Sequence, residues 1–216
     1  FFYTHTPPPP ILSGLVGSEM CIRDSAKHVS LYFVSGEMDG NRIAQNERDF
    51  NRYLNRSGFD TMIVEYKGRG HDHFQDDIHH MFSWMRFHRR EFNVPEYNVT
   101  TLRPWDNYFW WAEFTDFPPD TVTLPLEWPP STARAIEIEA SVSPNNRIRI
   151  KSAAASISVF LTPDLVDFEK NVTLNVIGRE RIVPVTASAE VMLEDVRLRG
   201  DRQHPFWARF DFSRTQ

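Results

Sequence analysis

Cysteine is nearly missing from this chain of 216 residues, where Cys21 stands alone. One thiol builds neither a disulfide framework nor a thiolate metal cluster, and it leaves the redox compartment open. No apolar run approaches the roughly 18 residues that a membrane-spanning helix requires. A basic excess is missing as well: 24 Lys and Arg against 29 Asp and Glu give a formal net charge of -5. Nucleic-acid partners call for a basic stripe. The nearest approach, Arg86-Phe87-His88-Arg89-Arg90, reads better as cations at a helix C-terminus. No internal repeat is evident. What remains is 41% hydrophobic and 25% charged residues, the composition of a globular protein with one large or two small domains.

The first 25 residues differ in texture from the rest. Pro7 to Pro10 form a proline run, and nothing basic precedes the mildly apolar stretch after it, which argues against a signal peptide. The string Leu15 to Ser25 resembles translated sequencing-adapter read-through. Residues 1–25 are therefore expected to be a non-native or disordered segment without function, with gene sequence starting at Ala26 and its upstream part lost.

Two apolar runs follow, Leu31-Tyr32-Phe33-Val34-Ser35 and Thr61-Met62-Ile63-Val64-Glu65-Tyr66, each breaking into a glycine-containing loop. An amphipathic pattern over Ala44–Asn55 separates them and predicts a helix. Strand, helix and strand in this order make a parallel crossover, which places both loops at one edge of a sheet. Ligands of open α/β sheets bind at that carboxyl edge. The first loop, Gly36-Glu37-Met38-Asp39, delivers a carboxylate, and the second, Gly68-Arg69-Gly70-His71, an imidazole. A carboxylate accepting from His Nδ1 fixes the tautomer and leaves Nε2 as general base. The plainer reading makes Asp39 a helix cap and His71 a surface histidine. A second helix is expected from Phe74 towards Arg90, with Phe74, Ile78, Met81, Phe82 and Met85 on one apolar face. Its first turn would hold Gln75-Asp76-Asp77 and its last Arg86, Arg89 and Arg90, matching the helix dipole.

Beyond Asn93-Val94-Pro95 the pattern turns to short strands. They are expected at Asn98–Leu102, Tyr108–Phe114, Ala135–Val142, Arg147–Lys151, Ser156–Leu161, Val172–Ile177 and Pro205–Asp211. Ile136-Glu137-Ile138-Glu139 and Ile148-Arg149-Ile150-Lys151 alternate strictly, with Pro144-Asn145-Asn146 as a hairpin turn between them. Leu161–Asp167 suggests one helical turn, and Ser188–Leu198 a longer helix. The whole reads as a mostly β module, sandwich-like in plan.

The stretch Val34-Ser35-Gly36-Glu37-Met38-Asp39, the intervening helix, and Glu65-Tyr66-Lys67-Gly68-Arg69-Gly70-His71-Asp72-His73-Phe74 resemble the C-terminal third of an α/β-hydrolase. The likeness is to the prolyl oligopeptidase (S9) branch of serine peptidases and to dienelactone-hydrolase-like esterases, and it covers about residues 28–92. It implies that Asp39 and His71 are the acid and the histidine of a Ser-Asp-His triad, and that the helix after His71 is the terminal helix of the family fold. The nucleophile is missing. No Gly-x-Ser-x-Gly elbow occurs, and Ser13, Ser35 and Ser57, each followed by glycine, lack its other features. The resemblance implies a truncated α/β-hydrolase portion over 26–93, and with the strand pattern beyond it the expected architecture is α/β plus β, the β-rich accessory domain covering 94–216. It implies a serine-type hydrolase, peptidase before esterase, inactive as this piece, acting on a peptide or ester substrate when intact.

Other clusters carry weaker chemistry. His71-Asp72-His73 and His79-His80 suggest metal ligands, but neighbouring helical histidines diverge by about 100° and a site needs three or four convergent donors. His73, His79, His80 and His88 are expected as solvated or capping side chains, with no metal and no cofactor. Trp105, Trp110, Trp111 and Trp128, with Tyr108 and Phe109, would suit core packing, or else a platform for carbohydrate in a non-catalytic binding module. Arg199-Gly200-Asp201 is too short a string to carry meaning.

Overall fold

Two apolar runs that each end at a glycine-bearing loop do form neighbouring strands. The computed structural model describes residues 27–39, 59–101, 104–121 and 135–214. The expected helix at Ala44–Asn55, residue Trp128 and the segment 1–25 lie outside these. The described residues fall into two compact units that divide between Glu91 and Phe92. Strands outnumber helices, and most of them belong to the second unit.

In the first unit, β1 (Leu31–Gly36) and β2 (Thr61–Tyr66) pair in parallel, with Leu31 opposite Thr61 and Gly36 opposite Tyr66. Both C-terminal ends thus lie at one edge, as the crossover pattern requires. The chain then passes a 3-10 turn, Gln75–Asp77, into helix α1 (Ile78–Met85). This helix is shorter than its apolar periodicity predicts. In a continued helix the Trp84 carbonyl would accept the His88 N–H, but it instead receives His88 Nδ1 at 2.7 Å. Arg86, Arg89 and Arg90 consequently follow the helix rather than occupying its last turn. The apolar face is also divided: Phe74, Met81 and Trp84 are half-buried, with Trp84 5.3 Å from the Tyr32 ring, while Ile78, Phe82 and Met85 stay exposed.

In the second unit, strict alternation gives strands with one wet and one dry face. β3 (Glu96–Thr101), β6 (Ile136–Ser143), β7 (Arg147–Ser152), β9 (Val172–Val176) and β10 (Arg179–Val183) make one sheet, ordered β10-β9-β7-β6-β3. All neighbours there are antiparallel except β7 and β9. β4 (Tyr108–Phe109), β5 (Ala112–Thr115), β8 (Ser156–Leu161) and β11 (Ala208–Ser213) make an antiparallel second sheet, ordered β11-β8-β5-β4. Val99, Ile138, Ile148 and Leu174 from the first sheet and Phe114, Ile157, Val159 and Leu161 from the second share one hydrophobic core. Helix α2 (Ala189–Arg199) starts at Ser188, whose Oγ accepts from Val191 N–H, and ends at Gly200 with φ 71°.

In the second unit three readings need correction. Tyr108–Phe114 is not one strand but a hairpin broken at Trp110-Trp111, with Trp110 at φ 47°. A bulky residue in that region is strained. Burial offsets the strain: the Trp111 indole is fully enclosed and donates to Val94 O at 2.8 Å, and Trp110 packs 4.8 Å from Tyr97. Strand β10 lies outside the expected strands because its hairpin turns on Ile177-Gly178, at φ 53° and 75°, and Ile177 extends the apolar run instead of marking a turn. The last strand begins at Ala208 rather than Pro205, since proline gives the ladder no donor.

Candidate active site

The carboxyl ends of β1 and β2 are stitched together by their loops. A Cβ on Gly36 would lie 2.3 Å from Arg69 O and 2.5 Å from Gly70 O, both backbone atoms. Glycine is what allows the two chains to cross this closely. Just beyond, Glu37 N–H donates to Tyr66 O at 3.0 Å and Met38 N–H to Arg69 O at 2.7 Å. Gly68 N–H returns a bond to Glu37 Oε2 at 2.8 Å, and Gly68 sits at φ 70°. Asp39 N–H closes its own turn on Gly36 O at 3.1 Å.

This stitching brings together the two residues singled out from the sequence. His71 Nδ1 lies 3.1 Å from Asp39 Oδ2 and 3.1 Å from Oδ1, across 32 positions of chain. The carboxylate is sheltered, its side chain 16% exposed, whereas the imidazole is 77% exposed. With Nδ1–H donating to the carboxylate, Nε2 keeps its lone pair. None of the described residues engages that nitrogen. The arrangement can hold one tautomer and accept or deliver a proton at Nε2.

Two further residues brace the site. Arg69 spans the histidine loop, its guanidinium bonding Asp72 at 2.7 Å and Asp76 at 3.1 Å. Arg69 and the His73 N–H together hold the Asp72 carboxyl below its ordinary range. Tyr66 O–H donates to Asp77 Oδ1 at 2.9 Å, and Asp77 is buried with its Oδ2 unpartnered. Burial and the nearby Asp77 carboxylate push the Tyr32 phenol up to about 12. Sequence reasoning missed both roles. It placed Asp77 in a first helical turn and passed over Arg69, and the signal was the run of acids at three and seven positions beyond that arginine.

A second Ser, Asp and His meet at the opposite, amino ends of the strands. Ser30 Oγ donates to Asp60 Oδ2 at 2.5 Å, and His88 Nε2 lies 2.9 Å from the same oxygen. The serine bonds the acid and not the imidazole, and Nδ1 of His88 is taken by Trp84 O. Neither imidazole nitrogen can relieve a serine of its proton, so this cluster fastens the N-terminal ends of β1 and β2.

His73, His79 and His80 are exposed, and His88 is half-buried. Among the described residues no group of three or more His, Cys, Asp or Glu could hold a metal ion. Trp110 and Trp111 pack inward, while Trp105 is exposed, so these three form no common platform. No helix among the described residues is long and apolar enough to cross a membrane. Comparison with protein-family models, with curated proteins and with solved structures finds no match.

Proposed function

We propose that the chain carries the acid and the histidine, and not the nucleophile, of a serine hydrolase of the α/β-hydrolase type, peptidase before esterase. The second unit is then a β-rich accessory domain of that enzyme. One observation carries the reading: two loops from the carboxyl edge of parallel strands deliver a sheltered carboxylate to Nδ1 of an exposed imidazole. In the reaction, His71 Nε2 takes the serine proton as the hydroxyl attacks the scissile carbonyl, and later returns it to the leaving group. Asp39 orients the ring and stabilises the imidazolium. Among the described residues no serine is placed to act with this pair, so on this reading the chain by itself should be inactive.

A fluorophosphonate probe, which labels activated serines, tests this. This chain should remain unlabelled, and a longer polypeptide that joins it to its nucleophile should label at one serine, with His71→Ala abolishing the signal. Labelling of the chain alone, or labelling indifferent to His71→Ala, contradicts the proposal.

A further inference from the structure

The loop that carries His71 contains no regular structure between β2 and the 3-10 turn at Gln75–Asp77, and a free imidazole at the surface has no intrinsic reason to face one carboxylate. Entropy opposes such placement unless neighbouring contacts fix the loop. Gly68 and Gly70, flanking Arg69, add to its freedom in the unfolded chain. Some residue has to hold the loop, and it has to sense the position of Asp39.

Arg69 meets both conditions. Its carbonyl accepts from Met38 N–H at 2.7 Å, one residue before Asp39, and lies over Gly36. Its guanidinium reaches past His71 to the far side of the loop, bonding Asp72 Oδ2 at 2.7 Å, His73 O at 3.3 Å and Asp76 Oδ2 at 3.1 Å. The same planar group lies over the rings of Tyr66, at 5.5 Å, and Phe74, at 5.2 Å, the residues at which the loop leaves β2 and nears the 3-10 turn. The side chain is 29% exposed. His71 is therefore flanked on both sides by residues that one guanidinium ties down, while the backbone of that arginine is bonded to the turn bearing Asp39.

We infer that Arg69 is a positioning residue for the Asp39–His71 pair: its fork of donors closes the histidine loop so that Nδ1 meets the carboxylate. The inference rests on the hydrolase reading only in what the pair is for; the geometry itself belongs to this chain. Lysine cannot replace arginine here. One ammonium does not present a planar fork to three acceptors.

Side-chain 15N NMR of the full chain at about pH 9, above the ordinary imidazole range, reads which nitrogen of His71 carries the proton. The unaltered chain should show the Nδ1–H tautomer in excess, and Asp39→Ala should lose that excess. Arg69→Ala and Arg69→Lys should lose it too, while amide exchange in β1 and β2 stays as in the parent. Should Arg69→Ala unfold the unit, Arg69→Lys and the double variant Asp72→Asn/Asp76→Asn decide, since both keep the long side chain against the rings. An excess of Nδ1–H that survives in those variants but not in Asp39→Ala overturns the role of Arg69 and leaves the pair standing. An excess that survives Asp39→Ala, or is absent from the unaltered chain, overturns the pairing and the inference together.

Discussion

Gly36 and Asp77 show how single atoms decide this site. A methyl group on Gly36 meets two carbonyl oxygens at less than contact distance, and both belong to backbone that cannot rotate away. Gly36→Ala should destabilise the first unit by about 1–3 kcal/mol, the ordinary range for overpacking, and separate the loops that hold Asp39 and His71. Chemical denaturation followed by Trp84 fluorescence checks the first part. Asp77 is buried, and its Oδ1 accepts from Tyr66 O–H at 2.9 Å. Tyr66→Phe should lower the denaturation midpoint, because a buried acceptor loses its donor. The double variant Tyr66→Phe/Asp77→Leu should recover part of the loss, since removing both partners costs less than orphaning one. A double variant less stable than Tyr66→Phe would count against this account of the pair.

Elements were legible in the sequence where alternation or punctuation was strong. The strands β6 and β7 follow from Ile-x-Ile-x repeats, and their three-residue turn ends on Asn146 at φ 58°, a conformation asparagine tolerates. Helix α2 is expected over Ser188–Leu198, whereas its cap at Gly200 is seen only in the structure. What could not be read depends on contacts that no local pattern encodes: the Trp110-Trp111 break, the Ile177-Gly178 turn, and the early end of α1 at the His88 ring. The Asp39–His71 meeting was foreseeable because a parallel crossover fixes which loops share an edge, whereas Arg69 and Asp77 act through side-chain reach. The tie between α2 and β11 is of the same tertiary kind. Asp195 is buried, bonds the Arg199 guanidinium and accepts from Phe206 N–H at 2.9 Å just ahead of β11. Asp195→Ala strands the guanidinium of a largely buried pair and should cost about 3 kcal/mol, read as a fall in the melting temperature of the second unit.

At the scale of the whole chain the two units differ in how much they bury. The second has a core shared by two sheets, whereas the first shows among its described residues two paired strands and exposed Met62, Ile63, Phe82 and Phe87. Two strands alone are marginal in water, and unpaired apolar edges associate. Hydrogen exchange should therefore release β1 and β2 well before β6, β7 and β8, and the chain should self-associate as concentration rises. Equal protection in both units, with a monomer at all concentrations, would contradict this.

The titratable groups predict an asymmetric response to pH. Ser30 holds Asp60 below its ordinary range, Lys170 does so for Asp167, Arg197 for Glu194 and the Gln203 N–H for Asp201. Depressed carboxyls add stability that is present above their unfolded values, near pH 4, and is lost as pH falls through the lower folded ones. These carboxyls are exposed or half-buried, so the acid limb should be shallow. Burial raises the Tyr97 and Tyr108 phenols, and the Tyr32 phenol reaches about 12. Raised phenols hold their stabilisation below about pH 10 and lose it as pH climbs through the folded values, and Tyr97 is almost fully enclosed. Melting temperature should thus plateau between about pH 5 and pH 9 and fall more steeply on the alkaline side. A steeper acid limb would contradict this assignment.

Peptidase kinetics of a polypeptide that joins this chain to the proposed nucleophile test the central claim most directly. His71→Ala and Asp39→Asn, each made in that polypeptide, should lower kcat/KM by about 10⁴-fold, the scale on which a triad loses its base or the acid that orients it. Variants that stay within about tenfold of the parent would show that this carboxylate and this imidazole touch without taking part in the chemistry.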